Sequence, residues 1–94
     1  MTNDELLALL KADLQLTTAA NDTYLMHLLE GALINIEREG IKFNEDDASH
    51  QMAQVQYAAY LFRKRAGNIT TMPRFLRYEL NNMLLAQKGN TDDV

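Results

Sequence analysis

His27 and Glu30 stand at i, i+3, a spacing that sets an imidazole and a carboxylate on one helix face, as in half of a carboxylate-bridged metal site of the bundle type. The matching half is missing. His50 is the only other histidine, and no acid stands where a second Glu-x-x-His pair needs one. His27 therefore reads as a partly exposed helix residue, and no metal or other cofactor is expected. Glu37, Glu39, Glu45, Asp46 and Asp47 crowd together in sequence but lack the ligand spacing of a calcium loop, so they read as solvated helix ends and caps. The chain has no cysteine, which removes thiolate metal sites, a cysteine nucleophile and a disulfide framework. Neither a glycine-rich phosphate loop nor a nucleophile elbow is present. An enzyme needs tunable groups converging in a pocket, and this inventory points to a non-catalytic protein.

The basic residues offer a different chemistry. Arg63, Lys64, Arg65, Arg74 and Arg77 flank one turn, with Tyr57 and Tyr60 just upstream. A helix-turn-helix-like DNA-binding regulator using the Arg63 to Arg77 region is the alternative reading. Three features count against it: a long intervening loop, an overall net charge of −4, and few base-reading residues on the helix that follows. The charge is segregated. Residues 1–62 carry −7 and residues 63–91 carry +5. Such a division orients partners by complementary potential and says nothing about fold.

The elements that position these groups are helices throughout. Thr2 and Glu5 have capping-box spacing ahead of Leu6, Leu7, Leu9, Leu10 and Leu14. Asn21 is the expected cap of a second helix, with Asp22 in its first turn and Leu25, Leu28, Leu29, Ala32, Leu33 and Ile36 at i, i+3, i+4, i+7 spacing up to Gly40. Asn44 is the expected cap of a third helix of roughly 20 residues, with Asp46 and Asp47 in its first turn. Met52, Val55, Ala59, Phe62 and Ala66 form one stripe along it, and Tyr57, Tyr60 and Leu61 a second, so it is covered on more than one side. Arg63 to Arg65 fall in its last turn before Gly67, where they match the negative end of the dipole. After a loop from Asn68 to Met72, Pro73 suits the first position of a fourth helix that ends near Gly89, with fraying from Lys88. Connections of roughly 5–7 residues make successive helices neighbours. The expected fold is all-α, a small bundle of about four helices in one domain spanning residues 1–94.

No apolar run approaches the roughly 18 residues of a membrane span, and the N-terminus opens on acids where a signal peptide carries basic residues. A chain made in the cytoplasm, with no membrane partner, is expected. The fourth helix carries Phe75, Leu76, Tyr78, Leu80, Met83, Leu84 and Leu85 at more angles than one face can hide, so it is expected to extend to a partner. Tyr57 and Tyr60 read either as tyrosines of a well-buried helix with their hydroxyls at the rim or as interface anchors, where aromatic and Arg residues are favoured.

The segment Ala58-Ala59-Tyr60-Leu61-Phe62-Arg63-Lys64-Arg65 and the run Met72-Pro73-Arg74-Phe75-Leu76-Arg77-Tyr78-Glu79-Leu80-Asn81-Asn82 resemble the head–tail connector, or adaptor, proteins of tailed bacteriophages and Gram-positive prophages. The Leu6 to Leu14 helix and the stretch from Tyr24 to Ile41 extend the resemblance over nearly the whole chain. It implies a structural protein of the virion, made in the bacterial host cytoplasm. Copies self-associate into a ring of about a dozen beneath the portal protein. The ring extends the DNA channel and receives the next connector (the stopper) or a tail component, with non-specific contact to DNA in the channel. By the same resemblance Pro73, Arg74, Leu76, Arg77, Tyr78, Asn81 and Asn82 form a portal- or neighbour-facing segment. Tyr57, Tyr60, Arg63 and Arg65 join them as expected partner-binding residues. Asn81 and Asn82 are poor helix formers, so their amides are expected to serve a helix end, a loop or another chain, with a fully exposed pair as the alternative.

Overall fold

Thr2 and Glu5 do close a capping box: the Thr2 hydroxyl accepts from the Glu5 amide and the Glu5 carboxylate from the Thr2 amide. It opens α1, Asn3–Leu14, in a computed structural model that describes residues 2–67 and 71–92. No glycine marks the end of α1. Gln15 takes the left-handed conformation instead (φ 60°), and the amides of Gln15 and Leu16 close onto the carbonyls of Ala12 and Lys11.

The second helix, α2, spans Asp22–Arg38 and buries Leu25, Leu29, Ala32 and Ile36. Asn21 stands at its cap position but its side chain makes no capping bond, contrary to expectation. Asp22 instead reaches back to Lys11 at 2.8 Å, tying the first turn of α2 to the last turn of α1. Gly40 follows with φ +97°, the left-handed residue expected after the helix.

The third helix, α3, spans Ala48–Arg65, and its cap differs from the expected one. The Asp47 side chain accepts from the Ser49 amide and is the cap, while Asn44 accepts from the Asp46 amide and closes the turn before it. A carboxylate directly ahead of the first helical residue wins because it reaches the open amides, and Asn44 lies three residues too early. Gln51, Ala53, Gln54, Val55 and Tyr57 to Tyr60 are all buried, so α3 is covered on more than one side as expected. Met52 and Ala66, assigned to its first stripe by spacing, are exposed. Gln54 enters the core without leaving its amide orphaned, because Nε2 donates to the Leu29 carbonyl at 2.9 Å.

The fourth helix, α4, spans Arg74–Asp92. The Pro73 carbonyl accepts from Leu76 and Arg77, which places Pro73 one position before the helix. Gly89 does not stop it, since a glycine within a helix costs only about 1 kcal/mol and supplies no termination signal by itself. The loop expected from Asn68 lies largely outside the described residues.

The structure is thus an all-α bundle of four helices with no strand among the described residues. α3 packs against each of the other three helices. Tyr24 at the start of α2 meets Phe62 at the end of α3 (ring centroids 6.2 Å apart), so these two helices run in opposite directions. One buried cluster draws on all four helices, with Leu10, Leu25, Ile36, Val55, Leu76 and Leu80 its largest fully buried members. No helix in the described residues is long and apolar enough to cross a membrane.

Candidate interaction surface

The inward face of α4 is fixed by Leu76, Leu80 and Met83, which recur at i, i+4, i+7 and are buried. Two polar grips hold the helix in this orientation, both on the connection between α2 and α3. Arg77 donates through both terminal nitrogens to the two carboxylate oxygens of Glu39, at 2.6 and 3.0 Å. Nearly three turns further on, Gln87 accepts from the Lys42 amide and donates to the Gly40 carbonyl at 2.8 Å. The Glu39 carboxylate holds the Arg77 guanidinium more firmly protonated than usual.

With that face committed, rotation by 100° per residue fixes what points the other way. Phe75, Tyr78, Asn82 and Leu85 fall within about 80° of one another, nearly opposite the buried stripe. The first two are 59% exposed and Leu85 is 65% exposed, the three most exposed large hydrophobic residues described. Asn81 and Asn82 lie in mid-helix and are exposed as well, and neither side chain makes a hydrogen bond among the described residues. Arg74 and Glu79 flank the stripe on opposite sides and are paired with nothing among the described residues.

The other expected partner-binding residues are placed differently. Tyr57 and Tyr60 are 9% and 8% exposed and meet edge to face at 5.9 Å, so both are core residues of the isolated chain. Burial and the nearby Glu39 charge push the Tyr57 hydroxyl above its ordinary value. Leu76 is fully buried, and Pro73 is half-buried at the helix start. Arg63 is engaged within the chain, donating to the Asp13 carbonyl at 3.1 Å and pairing with its carboxylate at 3.1 Å. Lys64 stands over the Tyr60 ring and Arg65 over the Tyr24 ring. Arg65, Arg74, Tyr78, Asn81 and Asn82 remain on the surface. Phe75 and Leu85 belong with them and were not singled out as partner-binding from sequence. The 3–4–3 spacing from Phe75 to Leu85 was the signal that could have found them.

An open polar cleft of about 590 Å³ lies between α4 and the start of α3, lined by Lys42, Asp47, His50, Glu79, Asn82 and Gln87 among others. Its imidazole is engaged locally: Nδ1 accepts from the Asn44 amide, and Nε2 lies 3.8 Å from Asp47. The Ser49 hydroxyl donates to Asp47 at 2.6 Å. No group of three or more histidine, cysteine or acidic side chains able to hold a metal ion occurs among the described residues. No protein-family model, curated protein or solved structure matches this chain.

Proposed function

We propose that this chain is a structural subunit of a bacteriophage head–tail junction, an adaptor that assembles as a ring beneath the portal and passes the DNA channel to the next connector or the tail. The observation that carries the reading is the outward stripe of α4, a row of aromatic and apolar side chains that the chain's own core leaves uncovered. A contiguous exposed patch of this kind marks a protein–protein contact. Phe75, Tyr78 and Asn82 of this stripe fall within the Met72 to Asn82 run on which the resemblance to connector proteins rests. A ring contact needs two unlike faces, and the excess of acids in residues 1–62 over bases, set against the exposed Arg65 at the end of α3 and Arg74 at the start of α4, supports such a complementary contact. In this role the protein works by shape and needs no catalytic group.

The test is to mix the protein with the purified portal ring of a phage or prophage that carries its gene, and to record the mass and the electron-microscope image of the product. The expected result is a portal ring with one added tier. A chain carrying Phe75→Ser, Tyr78→Ser and Leu85→Ser keeps its far-UV helical signal and adds no tier, because all three side chains lie outside the core. A natural chain that is folded yet adds nothing to the portal overturns the reading.

A further inference from the structure

The outward stripe of α4 has a definite repeat. Phe75, Tyr78, Asn82 and Leu85 succeed one another at steps of three, four and three, the a–d–a–d order of a coiled-coil seam. Asn82 then occupies an a position, where a single buried Asn selects a two-stranded, in-register pair at some cost in stability. In the same frame Arg74 falls at g and Glu79 at the following e. These two residues lie on opposite flanks of the stripe, too far around the helix to pair within one chain. Neither has another partner among the described residues.

We infer that the free protein pairs with a second copy of itself through the outward faces of two parallel α4 helices. In that arrangement like residues meet in four layers: Phe75 on Phe75, Tyr78 on Tyr78, Asn82 on Asn82 and Leu85 on Leu85. Arg74 of each chain meets Glu79 of the other, so the two-fold axis makes two ion pairs from groups left open in one chain. The antiparallel alternative sets Glu79 against Glu79 and Arg74 against Lys88, so charge selects the parallel pair. Leu76, Leu80 and Met83 stay in their own core, because they occupy the opposite side of the helix. Four layers make a contact at the small end of specific interfaces, and the pair therefore dissociates on dilution. This inference concerns the free chain and stands whether or not the chain is a connector.

Sedimentation equilibrium across micromolar to millimolar protein reads the pairing, and charge exchange reads its geometry. Arg74→Glu alone and Glu79→Arg alone each weaken association about tenfold, and the double exchange restores it. A restored dimer cannot come from misfolding. Because the natural chain has no cysteine, Asn82→Cys reports register directly. Under mild oxidation it forms a disulfide-linked dimer, since a parallel pair brings the two Cα atoms within reach of a bridge, while a mixture of Phe75→Cys and Leu85→Cys chains forms no mixed dimer. A chain that is monomeric throughout, a double exchange that fails to restore association, or mixed Phe75→Cys/Leu85→Cys crosslinking in place of the Asn82→Cys dimer overturns the inference.

Discussion

The Arg77 guanidinium and the Glu39 carboxylate meet in a two-point contact, a geometry that fixes direction as well as charge. Both side chains are partly open to water, so screening limits what the contact contributes. A double-mutant cycle with Glu39→Gln and Arg77→Met, followed by urea unfolding, gives a coupling of about 1 kcal/mol. A coupling indistinguishable from zero means that the pair only decorates the surface. Nothing in sequence announces this contact, because 38 positions separate the partners and both residue types are common on helix surfaces. The capping box at Thr2 was legible, since its two partners lie three residues apart and need no tertiary structure. Tyr57 leads to a pH prediction. Its folded-state pKa is raised, so above pH ~10 an unfolded chain releases a proton that the folded chain retains. Stability is therefore full below that pH and falls as pH rises through it; Tyr57→Phe flattens this alkaline loss in thermal melts. An unchanged slope in that variant shows that another group is responsible.

Backbone handedness distinguishes the ends of the helices. Gln15 and Gly40 both take positive φ, yet only Gly40 does so without a Cβ penalty. Gln15→Gly is expected to raise unfolding free energy by about 0.5–1 kcal/mol. Gly40→Ala is expected to lower it by about 1–2 kcal/mol; the nearest atom to the added methyl, a Leu84 side-chain carbon at 3.6 Å, is in ordinary contact, so the cost is in φ. Urea midpoints at unchanged m-value check both, and equal effects in the same direction rule the explanation out. The existence of all four helices was legible because apolar spacing is local, and Gly40 followed from the same logic. The start of α3 was not, since Asn44, Asp46 and Asp47 are all good caps and only the fold shows which one meets free amides. For α4 the sequence showed too many apolar angles. It took the burial of Leu76, Leu80 and Met83 to divide them into an inward and an outward stripe.

At the scale of the molecule, α3 is the axle. It touches every other helix, while α4 is held by one buried stripe, by the Glu39 grip and by the Gln87 grip on the α2–α3 connection. The segregation of charge was readable by counting, but its division of labour was not. Arg63 and Arg77 are engaged in ion pairs inside the chain, and Arg74 is left outside. The asymmetry in packing predicts an order of opening. Local opening free energy follows how much buried contact a segment must surrender, so α4 exchanges its amide hydrogens before α2 and α3 do. Hydrogen-exchange mass spectrometry on dilute protein, where α4 has no external cover, is the measurement. Arg77→Met removes one grip and is expected to increase exchange in α4 about fivefold, the equivalent of about 1 kcal/mol, while leaving the slowest amides of α2 and α3 governed by global unfolding. If α4 instead exchanges in step with α3 in both proteins, the four helices open as one unit. The outward stripe would then rest on a platform as rigid as the core, and a partner docking there would meet a preformed surface rather than order one.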